Sequence, residues 1–332
     1  MKTRVLVTGG AGFIGSHVVE RLLKDKYKVF VIDDLSGGYR HNLHEGVTFF
    51  ECDLRDQQQA ADIIAKIKPS TIFHLAANAA ENKAQFSPID ISSRNYNAFI
   101  NTLVPAIKHG LKRFVFTSSI AVYGAGQTPF KETSLPQPED IYGVSMLMIE
   151  KSLEILSHVH NFEYVIVRPH NVYGPQQNMR DPYRNVVTLF MNSLLRQQRY
   201  HIYGNGEQRR CFSYIDDVVD ALYTTATLPV NRMTFNIGSD RDYSLNELSS
   251  AIQKVTSLTT SPIYIADRPQ EVKVATADHA LAIKYLGYQD STPLTEGLTR
   301  TWQYVQRMGP QEPVYTEVEL DSPLLPSNWR AK

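Results

Sequence analysis

A chain of 332 residues has room for one large or two modest domains around a sizeable core. Its 34 basic and 34 acidic residues cancel, which excludes bulk electrostatic attraction to nucleic acid or to an anionic membrane surface. No run approaches the ~18 apolar residues of a transmembrane helix, and the only two cysteines, Cys52 and Cys211, lie far apart without metal-ligand spacing.

In chain order, Val5-Leu6-Val7 reads as a short buried strand running into the turn Thr8-Gly-Gly-Ala-Gly-Phe-Ile-Gly15. Glycines broken this early into an apolar run argue against an export signal, and with two unpaired thiols the expectation is a reducing cytoplasm. Ser16 to Leu23 has the pattern of an amphipathic helix, and Val29 to Asp33 is a second buried strand ending in a carboxylate. This is the strand, glycine turn, helix, strand and acid order of a dinucleotide-binding unit. Gly9 permits the sharp turn, Gly12 lets backbone approach a pyrophosphate, and Gly15 lets the helix pack tightly. Phe13 and Ile14 open the helix, whose N-terminal amides suit a diphosphate. Asp33 lies 18 residues after Gly15, where it can accept hydrogen bonds from an adenosine ribose and repel a 2′-phosphate. NAD is therefore expected over NADP.

Further strands are expected at Thr48–Cys52, Thr71–Ala77, Arg113–Ser119 and Tyr164–Arg168, with helices at 57–66, 97–110 and 146–160. This alternation predicts an α/β fold with a doubly wound parallel sheet, the Rossmann arrangement. Residues 1–169 would form the NAD-binding domain, with a possible return of the chain to the sheet near 210–240. From Pro169 loops lengthen, so 170–332 is expected to be mainly a smaller substrate-binding lobe. The tail after Gly309 holds four prolines and little periodicity, which predicts an irregular surface strap.

Ligands in such sheets bind at the carboxyl ends of the strands. The segments found there are Asp33-Asp-Leu-Ser36, Asp53-Leu54, His74-Leu-Ala-Ala77, Thr117-Ser-Ser-Ile-Ala-Val-Tyr-Gly124 and Tyr142-Gly-Val-Ser-Met146. With Thr8 to Ser16, Asn171-Val-Tyr-Gly-Pro175, Tyr203 to Arg210, Tyr214-Ile-Asp-Asp217, Asn236-Ile-Gly238, Arg268 and Glu296-Gly-Leu298, they make the chain resemble the extended short-chain dehydrogenase/reductases over residues 3 to 303. That family includes nucleotide-sugar 4-epimerases, 4,6-dehydratases and decarboxylases. The resemblance implies NAD held by Gly9, Gly12, Phe13, Ile14 and Gly15, with Asp33, Asp34, Leu35 and Ser36 at the ribose. Asp53 and Leu54 would flank the adenine, and Leu75, Ala76, Ala77 and His170 would line the remainder. Ser119 would hydrogen-bond the sugar hydroxyl being oxidised and Tyr142 would take its proton. Asn171, Asn185, Arg210 and Arg268 would contact a nucleotide diphosphate, for which forked guanidinium donors are suited, and Ala275 would gate the C2 substituent of the sugar. The resemblance also implies a homodimer, and it implies no metal.

Two features narrow the reaction. The family's dehydratases carry an acid pair before Val-Tyr-Gly, where this chain has Ile120-Ala121. Ser119 and Tyr142 alone are the set of a 4-epimerase working through a transient 4-keto sugar. The family's lysine four residues after the tyrosine is here Met146. Lysine there would bind the nicotinamide ribose and depress the tyrosine pKa, whereas methionine does neither. Arg94 is a candidate substitute for that charge. The sequence therefore leaves two readings: a working epimerase, or a weak paralogue that binds NAD and a nucleotide sugar in a structural or sensing role.

Overall fold

The computed structural model describes residues 3–184, 186–268 and 272–329. Seven strands form the central sheet: β1 (Arg4–Thr8), β2 (Lys28–Asp33), β3 (Thr48–Glu51), β4 (Thr71–His74), β5 (Arg113–Thr117), β6 (Glu163–Pro169) and β7 (Met233–Ile237). Their order is β7-β6-β5-β4-β1-β2-β3, and all neighbours are parallel. The order reverses beside β1, and that switch opens a crevice at the carboxyl ends of β1 and β4.

Alternation along the strands divides the core into two layers. Val5, Val7, Val29, Val31, Phe73, Val115, Val165 and Val167 face the helices Phe13–Lys24 and Ile215–Thr227. Leu6, Phe30, Ile32, Ile72, Phe114, Phe116 and Ile166 face the helices Gln57–Ile67, Ala98–Lys108 and Ile141–His160. Both faces are buried, so the strands read as continuous apolar runs.

The helix expected from Met146 starts five residues earlier, at Ile141. Asp140 explains the difference: its Oδ1 accepts from Gly143 N at 2.7 Å and caps the helix. Gly143 then permits close packing. A Cβ there would lie 2.7 Å from Ala121 O, so the first helical turn sits directly on the turn Ile120–Tyr123 that follows β5. Strands β4 and β5 stop earlier than expected, at His74 and Thr117. The residues beyond them, Leu75 to Ala77 and Ser118-Ser119, leave the ladder to line the crevice.

Outside the sheet, Arg209–Cys211 pairs with Asp242–Ser244 and Val274–Ala275, and Ile263–Ile265 pairs with His201–Tyr203. The tail is irregular as expected but not merely superficial. It ends in a short turn, Ser327–Trp329, with Leu325 and Trp329 buried.

Candidate active site

One cleft of about 1110 Å³ runs from the glycine turn to the second lobe. At its floor Gly9 adopts φ +69°, and a Cβ there would lie 2.7 Å from Ala76 N, so the turn after β1 needs glycine to sit against the end of β4. Asp33 ends β2 and braces this turn: Oδ2 accepts from Ala11 N at 2.9 Å and Oδ1 from Leu35 N at 2.8 Å. Burial pushes its carboxyl above the ordinary range, while these N–H donors pull it back.

The loop after β6 folds over the turn. Asn178 Nδ2 donates to Gly37 O at 3.3 Å, Tyr39 Oη donates to Asn178 Oδ1 at 2.5 Å, and Ser16 Oγ donates to Gln176 Oε1. Arg184 is paired with Asp181 and reaches toward Gly37.

Tyr142 and Ser119 meet across the packed turns described above, and both line the cleft. Beneath them is a buried polar network. Ser118 Oγ donates to Glu150 Oε1 at 2.6 Å, Arg168 Nε to the same oxygen at 2.9 Å, and Arg168 Nη1 to Tyr123 Oη at 2.6 Å. Every member has a partner, so the ends of β5 and β6 are held rigidly below the Ser119–Tyr142 pair. Burial drives the Tyr142 phenol above its ordinary range, and the charge of Glu81 adds to this. Ser119 and, more weakly, Arg184 act in the opposite direction. The phenol is thus harder to ionise than a free tyrosine, and Met146 brings no charge to oppose this.

Of the residues singled out in sequence, Gly9, Gly12, Phe13, Ile14, Gly15, Asp33 to Ser36, Asp53, Leu54, Leu75 to Ala77, Ser119, Tyr142, His170, Asn171, Arg210, Arg268 and Ala275 all line the one cleft. Met146 does not: it is fully buried in the core layer that also holds Phe99 and Ile149, one turn beyond Tyr142. Met146 occupies the family position expected at the cofactor, and in this structure its side chain is packed in the core. Asn185 lies outside the described residues, as do 269–271 between Arg268 and Ala275. Arg94 is held by Asp90 and Asp34 rather than placed at Tyr142.

On the second lobe, Arg210 donates to the carbonyls of Arg209 and Val272, and its strand position lies beside Ala275. Arg268 stacks 4.3 Å over the Tyr203 ring. His170 is buried, and burial lowers its pKa to about 3, so its ring stays neutral. Sequence reasoning missed Glu81, Lys83, Arg184 and Thr316, which also line the cleft. The first two follow β4 in a stretch without a motif. The others come from loops whose paths no local pattern specifies.

Among the described residues, no three His, Cys, Asp or Glu side chains are grouped to hold a metal, and no helix is long and apolar enough to cross a membrane. The glycine cradle, the exposed amides at the start of the helix Phe13–Lys24 and the braced Asp33 fit a dinucleotide.

Residues 5–238 match the NAD dependent epimerase/dehydratase family. The UDP-glucose 4-epimerase of Mycolicibacterium smegmatis is 31% identical over 310 residues, covering 91% of this chain and 98% of that protein. A UDP-N-acetyl-alpha-D-glucosaminuronate decarboxylase of Bacillus cytotoxicus is 30% identical over 277 residues, covering 80% and 84%. The structure of the Thermotoga maritima UDP-glucose 4-epimerase with UDP-glucose superposes with a TM-score of 0.89 at 34% identity, covering 92% of this chain and 99% of that one. With its parallel sheet, its glycine turn and the Ser119–Tyr142 pair in the cleft, this chain belongs to the NAD dependent epimerase/dehydratase family, and its cofactor is NAD.

Proposed function

We propose that the chain is a 4-epimerase of a nucleotide-diphosphate hexose, with a UDP-hexose as the first candidate. The observation that carries this reading is Ser119 and Tyr142 at one wall of the cleft with Ile120-Ala121, not an acid pair, beside them. A dehydratase needs an acid and a base to eliminate water, and that pair is missing. Similar proteins named for UDP-glucose epimerisation support the nucleotide and the reaction.

In this reading Ser119 holds the C4 hydroxyl of the sugar and Tyr142 accepts its proton. NAD, held by the glycine turn and Asp33, would supply the hydride acceptor and donor for C4. Tyr142 gives the proton back to the keto oxygen after the sugar has turned. Arg210 and Arg268 hold the diphosphate, so the ring turns about a fixed anchor. Residues 170–332 then serve mainly as the nucleotide-sugar lobe, and 1–169 with 210–240 as the NAD domain.

A second reading is favoured by one specific observation. Tyr142 is pushed above its ordinary range and its helix offers Met146 instead of a cation. This suits a protein that binds NAD and a nucleotide sugar with little turnover. Incubating the purified chain with UDP-glucose, UDP-galactose, their N-acetyl forms and UDP-glucuronate, then analysing the sugars, separates the two. Interconversion of a C4 pair supports the epimerase. Binding without conversion supports the second reading.

We also propose a cytoplasmic homodimer. Val144, Met148, Ile155 and Val159 form one apolar stripe on the helix Ile141–His160 and are 41–65% exposed. Both cysteines are free thiols, as a reducing compartment allows. A monomeric mass by light scattering would reject the dimer.

A further inference from the structure

The segment after the helix Leu294–Met308 runs along the cleft and is stitched to both of its banks. On the lobe side, Gln311 N donates to Asn192 Oδ1 at 2.9 Å, Val314 N to Arg180 O at 2.7 Å, and Thr316 N to Tyr183 Oη at 2.9 Å. On the sheet side, Lys83 Nζ donates to Thr316 Oγ1, Ile89 N and Asp90 N donate to the Glu319 carboxylate at 2.8 and 2.7 Å, and Glu319 N donates to Phe86 O at 2.9 Å. Trp329 closes the crossing: it is 3% exposed and meets Tyr183 and Phe86 edge-on, one from each bank. Val314, Thr316, Glu317 and Glu319 line the cleft from above.

The motifs that carry the family resemblance end at residue 303. The crossing thus lies beyond what the motifs account for. It is also mechanically separable. The helix before it ends at Met308, with Gly309 at φ +71°, and 310–326 form no helix or strand of their own. Its hold consists of hydrogen bonds, the Arg196–Glu312 ion pair and the buried Leu325 and Trp329; a segment without regular structure fixed by such contacts can open locally without global unfolding.

We propose that residues 311–329 are a latch over the nucleotide-sugar site, with Lys83–Thr316 and Trp329 as its two clasps. It opens to admit the nucleotide sugar, closes over it, and keeps the oxidised sugar inside while the ring turns. The last clause rests on the epimerase reading, and closure over the nucleotide does not.

The test compares the full chain, Trp329→Ala, Thr316→Ala and a chain ending at Gln311, all loaded with NAD and checked for folding by circular dichroism. Dissociation of UDP is followed by stopped flow. Both the shortened chain and Trp329→Ala should release UDP at least about tenfold faster, and Thr316→Ala should fall between them and the full chain. With UDP-glucose, hydroxylamine should trap keto sugar in solution from the variants but not from the full chain. UDP release within about twofold of the full chain in Trp329→Ala and Thr316→Ala overturns the latch, whether or not the shortened chain folds. Faster UDP release without any trapped keto sugar or epimerised product keeps the latch and overturns the epimerase reading instead.

Discussion

Arg94 Nη1 lies 2.8 Å from Asp34 Oδ2 while its Nε lies 2.7 Å from Asp90 Oδ1. One guanidinium thus bridges the turn after β2 to the short helix Pro88–Ser92. The candidate substitute for the missing lysine's charge is thus held by two carboxylates.

Arg94→Ala should therefore loosen the wall beside Asp33–Ser36 and leave the tyrosine untouched. The pair is partly exposed, so the loss should be about 0.5–1 kcal/mol, roughly two- to fivefold in NAD affinity by calorimetry. The pH–rate profile should not move. A shifted profile would show that Arg94 does act on Tyr142.

Arg184 is the cation that does favour the Tyr142 phenolate. Arg184→Ala should move the alkaline rise of the pH–rate profile upward. Met146→Lys should move it downward and raise turnover. It should also destabilise the fold by about 1–3 kcal/mol, because the new ammonium enters a fully buried apolar position. Tyr142→Phe should abolish turnover while UDP binding persists. Profiles indifferent to both Arg184→Ala and Met146→Lys would mean that Tyr142 is not the base.

The strands and the glycine turn were legible because both signals are local. Buried parallel strands must be apolar throughout, and the sharp turn at Gly9 needs positive φ. The return of the chain at β7 was visible in Thr234-Phe-Asn-Ile-Gly238, where Phe235 and Ile237 alternate with polar residues before a glycine. The start of the helix at Ile141 was obscured by Tyr142 and Gly143, poor helix formers whose placement depends on the cap at Asp140 and on contact with Ala121. Arg184, Lys83 and Thr316 could not be found in this way. Their roles come from loops brought together across more than 100 residues of chain, as in the Lys83–Thr316 contact.

Ala275 lines the cleft beside Arg210, and the family resemblance implies that a small residue here admits a C2 substituent. Activity on UDP-glucose should therefore extend to UDP-N-acetylglucosamine. Ala275→Tyr should suppress the second substrate far more than the first, since overpacking a fixed pocket costs about 1–3 kcal/mol. Equal suppression of both, read from kcat/KM, would remove Ala275 from the specificity wall.

His74 and His170 are buried, and burial lowers each from 6.5 to about 3. Below pH 6.5 the unfolded chain takes up protons that the folded chain refuses until about pH 3. The stability these groups support is therefore complete above pH 6.5 and is lost as pH falls toward 3. Each should steepen the dependence by about 1.4 kcal/mol per pH unit. Urea titrations between these limits should show a shallower slope for His74→Leu. An unchanged slope would contradict the assignment.

The loop that folds over the glycine turn has two sides. Through Gln176 and Asn178 it is bonded to Ser16 and Gly37, and through Arg180 and Tyr183 it is bonded to the tail segment at Val314 and Thr316. Ordering it from one side lowers the entropy to be lost on the other, so the two ligands should help each other bind. Such help is reciprocal: the factor by which NAD tightens UDP binding must equal the factor by which UDP tightens NAD binding. A chain that gained from this arrangement would rarely hold a nucleotide sugar without its cofactor, and so would seldom sequester substrate that it could not convert.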